Sequence, residues 1–217
     1  MVIRISESLL KILPKFNVLA YTMDVKLKGS EVVEDEILKT EERISEEYTL
    51  EEVLSIPLIK EARDSYKKLG KDPSRYRLAC ESLLRRIVKG NKLYRINNLV
   101  DCGNILSIDL FRSTAVLDLD EIRGDVLIRI GTESDIYEGI GRGIINVSNI
   151  PLYCDDVSPF GSPTSDTIRT SVKEGTRRIL LMIICFETTD DACEARALEL
   201  FGKYCDATNI QKIEVRR

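Results

Sequence analysis

The sequence predicts an α+β protein, with helices concentrated in its first half and strands in its second. Two observations carry that reading. From Thr114 onward, short apolar runs are separated by Gly and Asp turns, the pattern of successive strands. The stretch ILLMIICF at 179–186 is apolar throughout and reads as a central strand buried on both faces. The order is also wrong for repeated βαβ units, and no internal repeat or long linker appears.

The elements follow in order. MVIRIS alternates and reads as a strand, Ser6 to Leu13 as a short helix ended near Pro14, and Asn17 to Leu27 as a second strand. Gly29 to Tyr48 is acidic and helical, with a thin apolar face of Val33, Ile37 and Ile44. Thr49 and Glu52 form a capping box that opens the next helix. Pro57 to Leu69 is helical with Gly70 as C-cap, and the Asp72-Pro73-Ser74 signal precedes a helix over 75–90. Leu93 to Ser107 is a further amphipathic helix. Strands are expected at Thr114–Leu119, Asp125–Ile130, Ile136–Tyr137, Ile144–Val147, Ile150–Cys154 and Arg178–Phe186. A helix over Asp190–Tyr204 and a terminal strand over Lys212–Val215 complete the pattern.

Composition bounds the function. The chain has 217 residues, enough for one full core, with 43% apolar and 31% charged residues. A net charge of −4 argues against non-specific nucleic-acid binding by the whole surface. No segment approaches the roughly 18–20 apolar residues that span a bilayer, and MVIRISESLL lacks a signal peptide's apolar core, so a cytoplasmic protein with no membrane partner is expected. Six scattered cysteines without CxxC pairs read as reduced core thiols. The absence of histidine removes Ser-His-Asp chemistry and most zinc sites. No metal and no cofactor is expected, and proton transfer would fall to Asp, Glu, Lys, Tyr, Cys or water.

Four features are candidates for function. In LYRINNLVDCGNILS (93–107), Asn97, Asn98, Asp101, Asn104 and Ser107 form a polar stripe beside the apolar one. Amides, a carboxylate and a hydroxyl suit either recognition of a small polar group or a buried structural network. Residues 71–112 carry a net charge of about +5, with Arg85, Arg86 and Lys89 on one helix. They meet either an anionic partner or the acidic helices nearby. The loop after Asp155-Asp156, stiffened by Pro159, Gly161 and Pro163, presents Asp166, Arg169 and Thr170 either to a ligand or to its own backbone. Gly139-x-Gly-x-Gly143 lacks the Walker lysine and a following helix, so it reads as a tight turn between strands.

Taken together, SRYRLACESLLRRIVKG (74–90), RINNLVDCGNILSIDL (95–110), LDLDEIRGDVLIRIG (117–131) and SDTIRTSVKEGTRRILLMI (165–183) resemble the B3/B4 domain of the phenylalanyl-tRNA synthetase beta subunit and its free-standing relatives. The resemblance covers roughly 55–187. It implies a three-layer α+β sandwich with a β-sandwich-like core and flanking helices, over one domain of 1–217 in which 1–54 is an extension packed on it. It also implies an editing-like domain that binds an amino acid, or the aminoacylated end of a tRNA, and hydrolyses mischarged aminoacyl-tRNA. The alternative it leaves is an inactive module of the same fold binding RNA or a small metabolite.

Carried over by position, Asn97, Asn98, Asp101 and Asn104 would line or support the amino-acid pocket, and Ser107, Arg169 and Thr170 are further candidate binding residues. Asp101 or Asp166 would act as base, and Arg85, Arg86 and Lys89 would meet RNA. Asp166, Arg169 and Thr170 fall where free-standing relatives carry D-S-E-R-T, here D-T-I-R-T. Two departures stand out. The family's editing histidine has no counterpart, and the position of its editing glutamate falls near Met182. The synthetase's aminoacylation and anticodon-binding modules are not expected in this chain.

Overall fold

Alternation decides which way each central strand faces. In the computed structural model, which describes residues 1–190 and 192–217, the strand Asn17–Asp24 turns Leu19, Tyr21 and Met23 to one side and Val18 and Ala20 to the other. Its antiparallel partner Arg178–Cys185 does the same, with Ile179, Leu181 and Ile183 opposed to Leu180, Met182 and Ile184. Two separate cores therefore lie on the two faces of one sheet.

In chain order the elements are β1 (Ile3–Ile5), α1 (Glu7–Ile12), β2 (Asn17–Asp24), α2 (Glu34–Glu47), α3 (Leu50–Ser55), α4 (Pro57–Lys68), α5 (Ala79–Val88), α6 (Asn98–Leu110), β3 (Thr114–Asp118) and β4 (Val126–Ile130). There follow β5 (Glu138–Gly139), β6 (Gly143–Ile144), β7 (Pro151–Cys154), β8 (Pro159–Gly161), β9 (Arg178–Cys185), α7 (Ala192–Cys205), β10 (Thr208–Lys212) and β11 (Val215–Arg216). One sheet has the order β10-β2-β9-β3 and the other β11-β1-β4-β7-β8. The first core joins the former sheet to α2, α5, α6 and α7; the second fills the space between the sheets. Helices, sheet and sheet make three layers, as expected.

Residues 1–54 supply strands to both sheets. β1 pairs with β4 and β11, and β2 lies between β9 and β10. The apolar alternation of both segments makes each a two-sided partner that a peripheral extension would leave half exposed.

The capping box on α3 is present, with Thr49 and Glu52 bonded reciprocally. The helix expected over 75–90 starts at Ala79, because Asp72 Oδ1 accepts from the Ser74 N–H and hydroxyl and closes a local turn. The start of the last helix, expected at Asp190, touches Asp191, which lies outside the described residues. All six cysteines are free and buried.

Candidate amino-acid pocket

α6 carries the polar stripe, and most of the stripe serves the fold. Asn97 is the N-cap, its side chain accepting from Val100 N at 3.0 Å. Asn98 is fully buried; its Oδ1 accepts from Lys28 N, and its Nδ2 donates to Lys26 O and Tyr204 O, all within 2.9 Å. That amide joins α6 to the segment after β2 and to the end of α7. Asp101 is buried and accepts from Ile96 N; burial raises its carboxyl above the usual range against the pull of that N–H. Ser107 donates to Arg112 O, and Arg112 N donates back to Ser107 O, closing the C-terminus of α6 past the left-handed Phe111.

Asn104 is different. It is half-buried, and its side chain makes no hydrogen bond among the described residues. It faces a cavity of about 270 Å³ whose wall also includes Val100, Gly103, Val116, Asp166, Ser171 and Val172. Gly103 sets the distance between α6 and β3, since a Cβ there would stand 2.5 Å from Val116 Cγ2. Thr114 Oγ1 donates to Gly103 O at 2.9 Å across the same seam.

The opposite wall is the segment after β8. Gly161 permits a close fold: a Cβ would meet Tyr153 Cδ2 at 2.6 Å and Asp166 Oδ1 at 2.8 Å. Ser162 N to Ser165 O and Thr167 N to Phe160 O hold the turn, and Ile140 N donates to Asp166 O. The β5–β6 turn is thereby tied to the pocket rim, with Gly141 and Gly143 at positive φ as a tight turn requires. Asp166 lines the pocket with Oδ1 unpartnered, and burial pushes its carboxyl up to about 7 against a backbone bond from Ser162.

The structure thus brings together one predicted base, Asp166, and one predicted binding residue, Asn104. Asp101 lies beneath the start of α6 and does not line the pocket. Arg169 is committed to Asp155, at 2.8 Å, and to Glu121 O and Ser158 O. Thr170 is fully buried with Oγ1 unpartnered, behind Ser171, which does line the pocket. Arg85 faces Glu81 at 3.8 Å, while Arg86 packs over the Tyr94 ring at 3.9 Å from its centroid. Lys89 is exposed at the end of α5.

Met182 faces the core between the sheets. The apolar wall residues Val100, Val116, Val172 and Ile140 were invisible as site residues, because in sequence they look like any core position. Among the described residues, no group of three His, Cys, Asp or Glu side chains is placed to hold a metal.

An α+β sandwich with a small pocket between one helix, one strand and a stiffened loop is thus the class that fold and site define. The chain belongs to the B3/4 domain family, which matches residues 61–211. It is similar to the phenylalanine–tRNA ligase beta subunits of Bartonella quintana (33% identity over 109 residues, 48% of this chain) and Bartonella henselae (32% over 111 residues, 49%). The matches span only 13% and 14% of those relatives' lengths. The fold is also that of an N-terminal fragment of the phenylalanyl-tRNA synthetase beta subunit from Pyrococcus horikoshii. That likeness covers 99% of this chain and 51% of the fragment, at a TM-score of 0.53 and 10% identity. No helix among the described residues is long and apolar enough to cross a membrane.

Proposed function

We propose that the chain binds the aminoacylated 3′ end of a tRNA and seats the amino-acid group in the pocket between α6, β3 and the 162–172 segment. The observation that carries this reading is the pairing of Asn104 and Asp166 on one small, otherwise largely apolar wall, both with unpartnered polar atoms. At about 270 Å³ the cavity lies just below the roughly 300–1,000 Å³ range of drug-sized ligand sites, a size suited to one amino acid. Its apolar residues would take a side chain, Asp166 an ammonium group, and Asn104 a carbonyl. The kinship with tRNA ligase subunits supports tRNA as the partner.

Hydrolysis of the aminoacyl ester is the second reading, and Asp166 favours it. A carboxyl held near 7 by burial is about half ionised at neutral pH and can take a proton from water. The water oxygen would attack the ester carbonyl while its proton passes to Asp166. As the tetrahedral intermediate collapses and the acyl C–O bond breaks, Asp166 would hand that proton to the departing ribose oxygen, which leaves as a hydroxyl. Asn104 would donate to the developing oxyanion.

The test compares binding of charged and uncharged tRNA and follows deacylation of tyrosyl-, phenylalanyl- and other aminoacyl-tRNAs. Tighter binding of the charged form, lost in Asn104→Ala and Asp166→Asn, supports recognition. Turnover that rises with pH through about 7 and disappears in Asp166→Asn supports hydrolysis. Equal affinity for charged and uncharged tRNA across the panel, with no deacylation above buffer, refutes both.

A further inference from the structure

The geometry points to a nucleobase-stacking platform on Tyr94, beside the pocket, that receives the unpaired end of an RNA strand; it rests on the reading of the pocket as the seat of an aminoacyl group. Among the described residues Tyr94, 57% exposed, is the one exposed aromatic side chain; Tyr48, Tyr76, Phe111 and Tyr204 are half-buried and the others are buried. An exposed aromatic is informative when something holds it in place, and Tyr94 is held. The Arg86 guanidinium lies over its ring at 3.9 Å from the centroid, and Arg86 NH1 donates to the Tyr94 hydroxyl at 3.0 Å. Arg86 Nε is anchored on Lys92 O. With one face covered by a fixed guanidinium, the ring presents its other face already ordered, so little entropy remains to be lost when a flat ligand stacks there.

Position and charge select the ligand. Ile96, two residues further on and 58% exposed, lines the pocket. Two residues span at most about 7 Å of chain, a distance one nucleotide covers. A base on Tyr94 and an aminoacyl group in the pocket can therefore belong to one strand end. The nearby cations divide into two sets. Lys92 and Arg95 are paired with Glu41 and Glu34, whereas Lys89 and the second amino group of Arg86 meet no acceptor among the described residues. Two available charges suit a short single strand and not a duplex, which would meet a broader basic face. The RNA contact thus moves from the cationic helix face to an aromatic ring held under Arg86.

The test uses the full chain and a 5′-fluorescein RNA tetranucleotide ending in adenosine, with a 3′ hydroxyl or a non-hydrolysable 3′ phenylalanyl amide. Anisotropy should show binding of both, weakened about tenfold by Tyr94→Ala and retained in Tyr94→Trp. The dependence of log K on log salt should have a slope of roughly −1.4 for two phosphates, falling by about half in Arg86→Met. Asn104→Ala should remove only the gain from the phenylalanyl group. If that gain is absent while Tyr94 still matters, the pocket reading fails and the platform stands. If Tyr94→Ala and Tyr94→Trp both bind like the parent, or if no tetranucleotide binds, the platform is overturned. A photo-crosslinker at position 94 that captures polypeptide and no RNA overturns it as well.

Discussion

Asn98 and Asn104 sit about two turns apart on the same helix, yet they live in different surroundings. Asn98 is fully buried and its amide makes three hydrogen bonds to backbone from two other parts of the chain. Asn104 is half-buried, faces a cavity, and makes none among the described residues. The same side chain is a structural joint in one place and lines a cavity wall in the other. What separates them is whether neighbouring backbone offers partners, and residue type alone cannot report that.

Substitutions along this contrast should separate stability from function. Asn98→Ala leaves Lys28 N–H and two carbonyls buried without partners, so unfolding in urea should show a loss of about 3–4 kcal/mol. A loss below about 1 kcal/mol would mean that water replaces those bonds. Gly103→Ala pushes a methyl group against Val116 and should cost roughly 1–3 kcal/mol while narrowing the pocket. Combining it with Val116→Ala should recover most of that stability; failure to do so would place the strain elsewhere.

Asp166→Asn probes the pocket wall by pH. Its carboxyl binds a proton more tightly in the folded chain than in the unfolded one, because burial raises it from 3.8 to about 7. The wild type is therefore fully stable with respect to this group below about pH 4 and loses stability as pH rises through 7. The variant, which cannot ionise there, should be the more stable by roughly 1–3 kcal/mol at pH 8 and no different at pH 4. Melting curves at both pH values check this, and an equal difference at each would remove ionisation from the account. Asn104→Ala should have the smallest stability effect, within about 0.5 kcal/mol. It should nonetheless weaken aminoacyl binding at least about tenfold by anisotropy, consistent with a donor lost from the site.

Much of the fold was legible because it rests on local signals. ILLMIICF lies at the centre of a sheet, and Thr49 with Glu52 caps its helix. Signals that depend on tertiary competition were read less well. Asp72 looked like a helix N-cap and closes a turn instead. Residues 159–161, stiffened by proline and glycine, read as a loop and pair as β8. At the site, Asn104 could be picked out as a polar residue in apolar company, and Asp166 as part of a polar loop stiffened by proline and glycine. Arg169 looked equally conspicuous, but its charge is answered by Asp155, a contact fixed only by the folded loop.

The interleaving of the N-terminal strands has a consequence for synthesis. β2, at 17–24, leaves the ribosome well before its partners at 178–185 and 208–212 are made. The apolar strand must wait with both edges unpaired while the intervening residues up to β9 are made, a state exposed to mispairing with other chains. Sheet closure therefore waits on β9 and β10, and protection of β2 during that interval would guard against misassembly.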